Sequence, residues 1–392
     1  MRIGLDGIPL GEVKTGVGHY TFELAQALAR VSPEDQFELV SPFPFVAAHG
    51  DESEQALPPN LCLTRAEVGP LRRRRWWSIG LPLYLRGKAF SLFHGTNYDV
   101  PLWGRCPTVA TVHDLSLVLY PETHEERLVR RARRRLPLMA RFATAIITPS
   151  EAVKHETCEH LGVEPRKVRV VPEAPRRSFR PVPLAETIEV RRRLGVEDEF
   201  ILFVGTIEPR KNLLTLARAF EEVIRATSLR PQLVIAGKEG WLTGELFSYL
   251  KSAGIRGRVR FTGYVSDDDL RALYSSCRAF VYPSLYEGFG LPPLEAMACG
   301  AAVITSRVPA ITETVGEAAR LVAPTDYREL AQAIIRLFED AGERACLSSA
   351  GLARVARFSW EKTAASTVQV YREVLMSHAG DAGGAKKSLM LS

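Results

Sequence analysis

Short apolar runs recur along this chain in two series, and a proline-rich break separates them. The first series falls at residues 2–8, 37–41, 92–94, 108–112, 145–148 and 168–171. Runs of this length suit strands buried on both faces of a parallel sheet. Helical segments fit between several of them, at about 19–31, 122–142 and 150–161, with Ser150 as an N-cap for the last. Pro172, Pro175, Pro181 and Pro183 then mark a linker. The second series follows at 200–204, 232–236, 259–261, 279–282 and 301–304, with helices at 213–224, 267–274 and 291–298. A strand–helix alternation that runs twice gives an α/β chain of two Rossmann-like doubly wound domains facing across a cleft. A length of 392 residues also exceeds one ordinary core. The expected parts are residues 1–178, residues 179–359, a helix over 360–378 that crosses back to the first domain, and a disordered tail over 379–392.

Composition narrows the function classes. Hydrophobic residues make up 46% and charged residues 24%, as in a soluble globular protein. The six cysteines are scattered without a Cys-x-x-Cys pair, which argues against a zinc ribbon or a disulfide framework and fits a cytosolic location. Asp6 interrupts the N-terminus too early for a signal peptide, and no apolar run has the length of a spanning helix. The net charge of +6 is concentrated between residues 65 and 141, where 15 Lys/Arg face 6 Asp/Glu. Two blocks stand out: Arg72-Arg73-Arg74-Arg75-Trp76-Trp77, and Arg127, Arg130, Arg131, Arg133, Arg134 and Arg135. Cations beside paired tryptophans suit an anionic membrane surface. A solvated basic helix and a nucleic-acid surface are the other readings. The shortage of aromatic residues beyond Trp76 and Trp77 disfavours nucleic acid.

Four segments carry candidate chemistry. Glu287-Gly288-Phe289-Gly290-Leu291-Pro292-Pro293-Leu294-Glu295 frames a glycine loop between two carboxylates and opens a helix. Carboxylates accept hydrogen bonds from hydroxyls, and the glycines let backbone approach a ligand. With prolines suited to a first turn, Glu295 is expected in that first turn, beside the positive end of the helix dipole. Gly16 and Gly18 lie in a turn after the first strand, but Thr21 stands where a dinucleotide fingerprint needs its third glycine. His113 and Asp114 end an apolar strand, where open α/β sheets bind ligands. Gly205-Thr206-Ile207-Glu208-Pro209-Arg210-Lys211-Asn212 places two cations at a helix start, an arrangement that favours an anion such as a diphosphate.

Together these segments resemble glycosyltransferase family 4, the retaining enzymes of GT-B fold, over nearly the whole chain. The Glu287-to-Glu295 motif is the most specific part. His113-Asp114-Leu115-Ser116, Tyr120-Pro121-Glu122 and the segment 205–212 look closest to bacterial mannosyltransferases of polysaccharide and O-antigen assembly. The resemblance implies that Gly16 and Gly18 bring backbone near the donor phosphate and the acceptor. It implies that His113 contacts the donor sugar near the reacting centre. Lys211 would bind the diphosphate, Glu287 hydroxyls of the transferred sugar, and Glu295 the ribose. Phe289, Gly290 and Leu291 would offer backbone N–H groups. Many family members carry arginine where this chain has Thr206, and Arg210 is the candidate for the missing charge.

The resemblance implies a retaining, metal-independent transfer of a hexose, with mannose from GDP-mannose as the expected donor. The acceptor would be a glycan or a lipid-linked glycan, and the enzyme would be cytoplasmic and peripheral at the inner face of the membrane. No cofactor beyond the nucleotide-sugar is expected. A UDP-sugar-dependent transferase, a sugar-nucleotide epimerase of the same fold and a non-enzymatic nucleic-acid-binding module are the alternatives.

Overall fold

The computed structural model describes residues 1–11, 16–45, 57–104 and 106–389. The two series of apolar runs form two parallel sheets. The first holds β1 (Arg2–Asp6), β2 (Gln36–Ser41), β3 (Leu61–Arg65), β4 (Leu92–Gly95), β5 (Thr108–Thr111), β6 (Ala145–Thr148) and β7 (Val168–Val170), in the order β3-β2-β1-β4-β5-β6-β7. The second holds β8 (Phe200–Val204), β9 (Gln232–Ala236), β10 (Val259–Gly263), β11 (Ala279–Tyr282), β12 (Val303–Ser306) and β13 (Arg320–Val322), in the order β10-β9-β8-β11-β12-β13. Their central strands are buried on both faces, as β4, β5, β9 and β11 show along their whole length. That burial is why they read as unbroken apolar runs. In each sheet the strand order reverses once, between β1 and β4 and between β8 and β11. Ligands of open α/β sheets bind beyond the strand C-termini at such switch points.

The chain divides into two compact units. One gathers Met1–Leu115, Arg131–Glu173 and the chain from Ser359; the other gathers Ser116–Arg130 and Ala174–Phe358. The last helix, Trp360–Leu389, therefore belongs with the first unit. Its buried Trp360 meets Tyr20 edge-on at 5.9 Å, and the buried Tyr371 hydroxyl lies 2.7 Å from Nδ1 of His94. Thr363 Oγ1 also donates to the Pro172 carbonyl oxygen at 2.7 Å. Burial holds His94 neutral, with its pKa lowered to about 3. Ser150 caps the helix Glu151–Leu161 as its sequence suggests, accepting from Val153 N at 3.2 Å. Helices over Leu184–Leu194, Gly244–Ser252, Tyr327–Glu339 and Ala341–Val355 join those expected from sequence.

Candidate functional site

In the second unit the loops after β8 and β11 meet at the switch point. Backbone crowding sets their path. A Cβ on Gly237 would stand 2.0 Å from the Gly205 carbonyl oxygen, and both glycines have positive φ, 145° and 149°. A side chain at Gly237 would have to displace the Gly205 backbone, and at Gly205 the positive φ alone strains any other residue. Thr206 packs its methyl against Gly240, where a Cβ would approach it to 2.8 Å. A short 3₁₀ turn, Pro209–Lys211, then passes through Asn212 in the left-handed region, φ 59°. Asn212 holds that conformation by donating from Nδ2 to the carbonyls of Pro283 (3.0 Å) and Pro324 (2.6 Å).

This turn aims two cations at one carboxylate. Lys211 Nζ lies 2.6 Å from Glu287 Oε1 and 2.6 Å from the Tyr282 hydroxyl, which itself donates to Glu287 at 2.9 Å. Arg210 Nη1 lies 3.1 Å from Glu287 Oε2, and its Nη2 donates to Glu208 Oε1 at 2.7 Å. Burial opposes the Glu287 charge, but Arg210 and Lys211 override it and hold the carboxyl at about 2. Burial, with Arg210 beside it, makes the Lys211 ammonium easier to deprotonate than usual. Lys211, Arg210 and Glu287 are thus brought together, and Glu208 and Tyr282 complete the cluster.

Glu295 sits elsewhere in the same unit. The helix begins at Leu291, with Gly290 at its N-cap in a positive-φ conformation (φ 106°). Glu295 therefore falls in the second turn, not in the first turn expected from sequence, and no acid lies in the first turn. Pro292 and Pro293 have no N–H, so that turn offers little beyond the Leu291 N–H. The Phe289 ring is buried against Phe358 at 5.8 Å, which leaves its backbone as the part available to a ligand. The Glu295 carboxylate is gripped by Arg176 from the proline-rich segment, Nε to Oε1 at 2.7 Å and Nη2 to Oε2 at 2.9 Å.

In the first unit, His113 follows β5 and uses both ring nitrogens. Nδ1 lies 2.9 Å from Glu173 Oε1, and Nε2 lies 2.8 Å from the Thr96 carbonyl oxygen. Both neighbours are acceptors, so the doubly protonated ring satisfies both. Burial disfavours that charge, but the Glu173 hydrogen bond and charge outweigh it and raise the His113 pKa. Tyr20 packs edge-on against the imidazole at 4.6 Å. Gly16 and Gly18 lie inside the first turn of the helix Gly16–Val31, which starts three residues earlier than its sequence suggests. Thr15, which precedes Gly16, lies outside the described residues.

Residues 116–130 lay against the second unit. Trp241 Nε1 donates to the Thr123 carbonyl at 2.8 Å, His124 stacks near Trp241 at 6.0 Å, and Tyr120 faces Tyr286 at 5.2 Å. This strap reaches the loops after β9 and β11, one residue from Glu287. The basic blocks need one correction. Trp76 is buried among Val40, Leu81, Leu85 and Phe93, and the half-buried Trp77 packs against Phe93, so Trp76 is a core residue rather than a surface anchor. Arg72 to Arg75 are exposed. Arg135 turns inward to Asp99 at 2.8 Å. Among the described residues no group of three or more His, Cys, Asp or Glu side chains could hold a metal ion, and no helix is long and apolar enough to cross a membrane.

Comparison with known proteins bears on both units. A family model described as Glycosyltransferase Family 4 matches residues 14–174, and one described as Glycosyl transferases group 1 matches residues 186–354. The O-antigen chain mannosyltransferase B of Escherichia coli is 30% identical over 387 residues, which is 95% of this chain and 100% of that protein. A serotype-specific mannosyltransferase of Escherichia coli is 33% identical over 254 residues, 64% of this chain and 31% of that longer protein. Among solved structures, sucrose-phosphate synthase from Thermosynechococcus elongatus matches with a TM-score of 0.77 at 24% identity, covering 96% of this chain and 100% of that one. That likeness is one of fold.

Proposed function

The chain belongs to glycosyltransferase family 4 and has the GT-B α/β fold, and on that premise we propose that it moves a mannosyl residue from GDP-mannose to a glycan or lipid-linked acceptor in cell-surface polysaccharide synthesis. The observation that carries this reading is the pair of largely buried cations, Arg210 and Lys211, beside Glu287 at the switch point of the second sheet. Cleaving the bond between the anomeric carbon and the diphosphate puts charge on the departing phosphate oxygen. Lys211 and Arg210 stabilise that charge from fixed positions in a water-poor site. Glu287 accepts hydroxyls of the transferred sugar, Glu295 the ribose hydroxyls, and the backbone around Gly290 approaches the phosphates. The acceptor oxygen attacks the anomeric carbon on the face the diphosphate leaves, and its proton passes to the leaving phosphate oxygen. The configuration is retained, and no metal ion is needed. His113, with both ring nitrogens already engaged by Glu173 and the Thr96 carbonyl, orients groups in the first unit.

Donor turnover in EDTA, read as released nucleotide with GDP-mannose and with UDP-hexoses, tests this. GDP-mannose turnover should persist in EDTA and fall about a hundredfold or more in Lys211→Ala and Glu287→Ala. Full activity in both variants removes the site assignment. Turnover with UDP-hexoses alone replaces the donor, and interconversion without an acceptor points to an epimerase. The enzyme acts at the inner face of an anionic membrane, a position supported by the exposed Arg72 to Arg75 and by Leu128, Leu138 and Phe142 exposed among the arginines of the helix Glu126–Phe142.

A further inference from the structure

Arg176 is a cation of the second unit held from several sides. Its guanidinium stacks over the Phe179 ring, 4.1 Å from the centroid, and Phe179 is itself in the core. A turn closes beneath it, with Phe179 N donating to the Arg176 carbonyl at 3.1 Å. One edge of the fork, Nε and Nη2, reaches Glu295 at 2.7 and 2.9 Å, and Nη1 reaches Asp267. Asp267 opens the helix Asp267–Ser276, whose Ser266 cap accepts from Asp269 N, so that contact is anchored too. One cation thus ties the proline-rich segment to two helices whose positions are set by the sheet. We propose that Arg176 is a positioning residue for the donor ribose: it fixes the plane of the Glu295 carboxylate, and with it the direction of the outward lone pairs that accept from the ribose hydroxyls. This rests on the reading of Glu295 as the ribose acceptor.

The chemistry supports a clamp rather than a block. Each carboxylate oxygen has two lone pairs, and the parallel fork takes one from each. The remaining lone pair on each oxygen points outward from the fork, one to either side, and is left to accept from a ribose hydroxyl. The cluster of Arg176, Glu295 and Asp267 keeps one net negative charge, so Glu295 remains a strong acceptor with Arg176 in place. Lysine in place of Arg176 keeps the charge that the buried carboxylate needs but cannot hold its plane.

Calorimetric binding of GDP and 2′-deoxy-GDP, and of UDP and 2′-deoxy-UDP, tests this on the full chain. Whichever ribonucleotide binds should bind about tenfold or more tighter than its deoxy partner. Arg176→Lys should cut that ratio to about threefold or less while leaving the deoxynucleotide affinity unchanged. The melting temperature confirms that the variant folds. In Glu295→Gln the ratio should collapse as well. A full ratio in Arg176→Lys overturns the positioning role when Glu295→Gln has lost it. A full ratio in Glu295→Gln, or none in the unaltered protein, overturns the ribose reading itself. Tighter ribonucleotide binding in Arg176→Gln would make the pair an obstruction and also overturns the proposal.

Discussion

Glu287→Gln should destabilise the protein in a way that depends on pH. The Glu287 carboxyl stands at about 2 instead of its ordinary 4.5, with burial opposed and overcome by Arg210 and Lys211. At about 1.4 kcal/mol per pH unit of displacement, that is about 3 kcal/mol of stability. The side chain is 11% exposed, so solvent screening removes little of this. A carboxylate depressed in the folded state contributes fully above its unfolded value, and the contribution fades as pH falls through the folded value. The gap between the protein and the variant should therefore be about 3 kcal/mol at pH 7 and unchanged at pH 5. By pH 3 it should have shrunk by about 2 kcal/mol. Loss of Glu287 also pushes Lys211 further toward its neutral form, which keeps the cost from exceeding the carboxylate's own share. Urea unfolding followed by circular dichroism at pH 7, 5, 4 and 3 measures the gap. A gap constant from pH 7 to pH 3, or no gap at pH 7, refutes the account of Glu287 as an ionised group held by two cations.

The His113–Glu173 pair should show the opposite sign. The raised His113 pKa means that its contribution is complete below about 6.5 and is lost as pH rises through the folded value. His113→Gln should then cost about 2 kcal/mol at pH 6 and clearly less at pH 9, by the same unfolding measurement, and a cost that grows with pH contradicts the charged imidazole. Co-sedimentation should find the protein on anionic but not neutral liposomes, and each of Arg72→Ala and Arg73→Ala should weaken that by about 1 kcal/mol. Equal binding to both liposome types removes the electrostatic part of the membrane reading.

What could be read from the sequence follows from local physics. The central strands announce themselves because both of their faces are buried, so β8 reads Phe-Ile-Leu-Phe-Val without a polar residue. The edge strands β3 and β13 are shorter of partners and partly exposed; Leu61–Arg65 and Arg320–Val322 carry no such run and escaped notice. The cations Arg210 and Lys211 and their carboxylate Glu287 were legible because each sits at the end of a readable strand. Arg176 and Glu173 were not. Arg176 meets Glu295 across 119 residues, and Glu173 meets His113 across 60, within a stretch whose prolines suggested only a linker. Trp76 misled for a related reason: four arginines precede it, and only the fold reveals the apolar floor it rests on.

The last helix has a consequence for how the protein comes into being. The first unit contains the start of the chain and also Trp360 and Tyr371, both buried in it. A ribosome delivers Phe358, the end of the second unit, before it delivers any of that helix. The unit made first is therefore not completed until after the second, and until Trp360 and Tyr371 are made Tyr20 and His94 lack those aromatic neighbours. The buried pairing of His94 with Tyr371 thereby records that translation has reached the final helix.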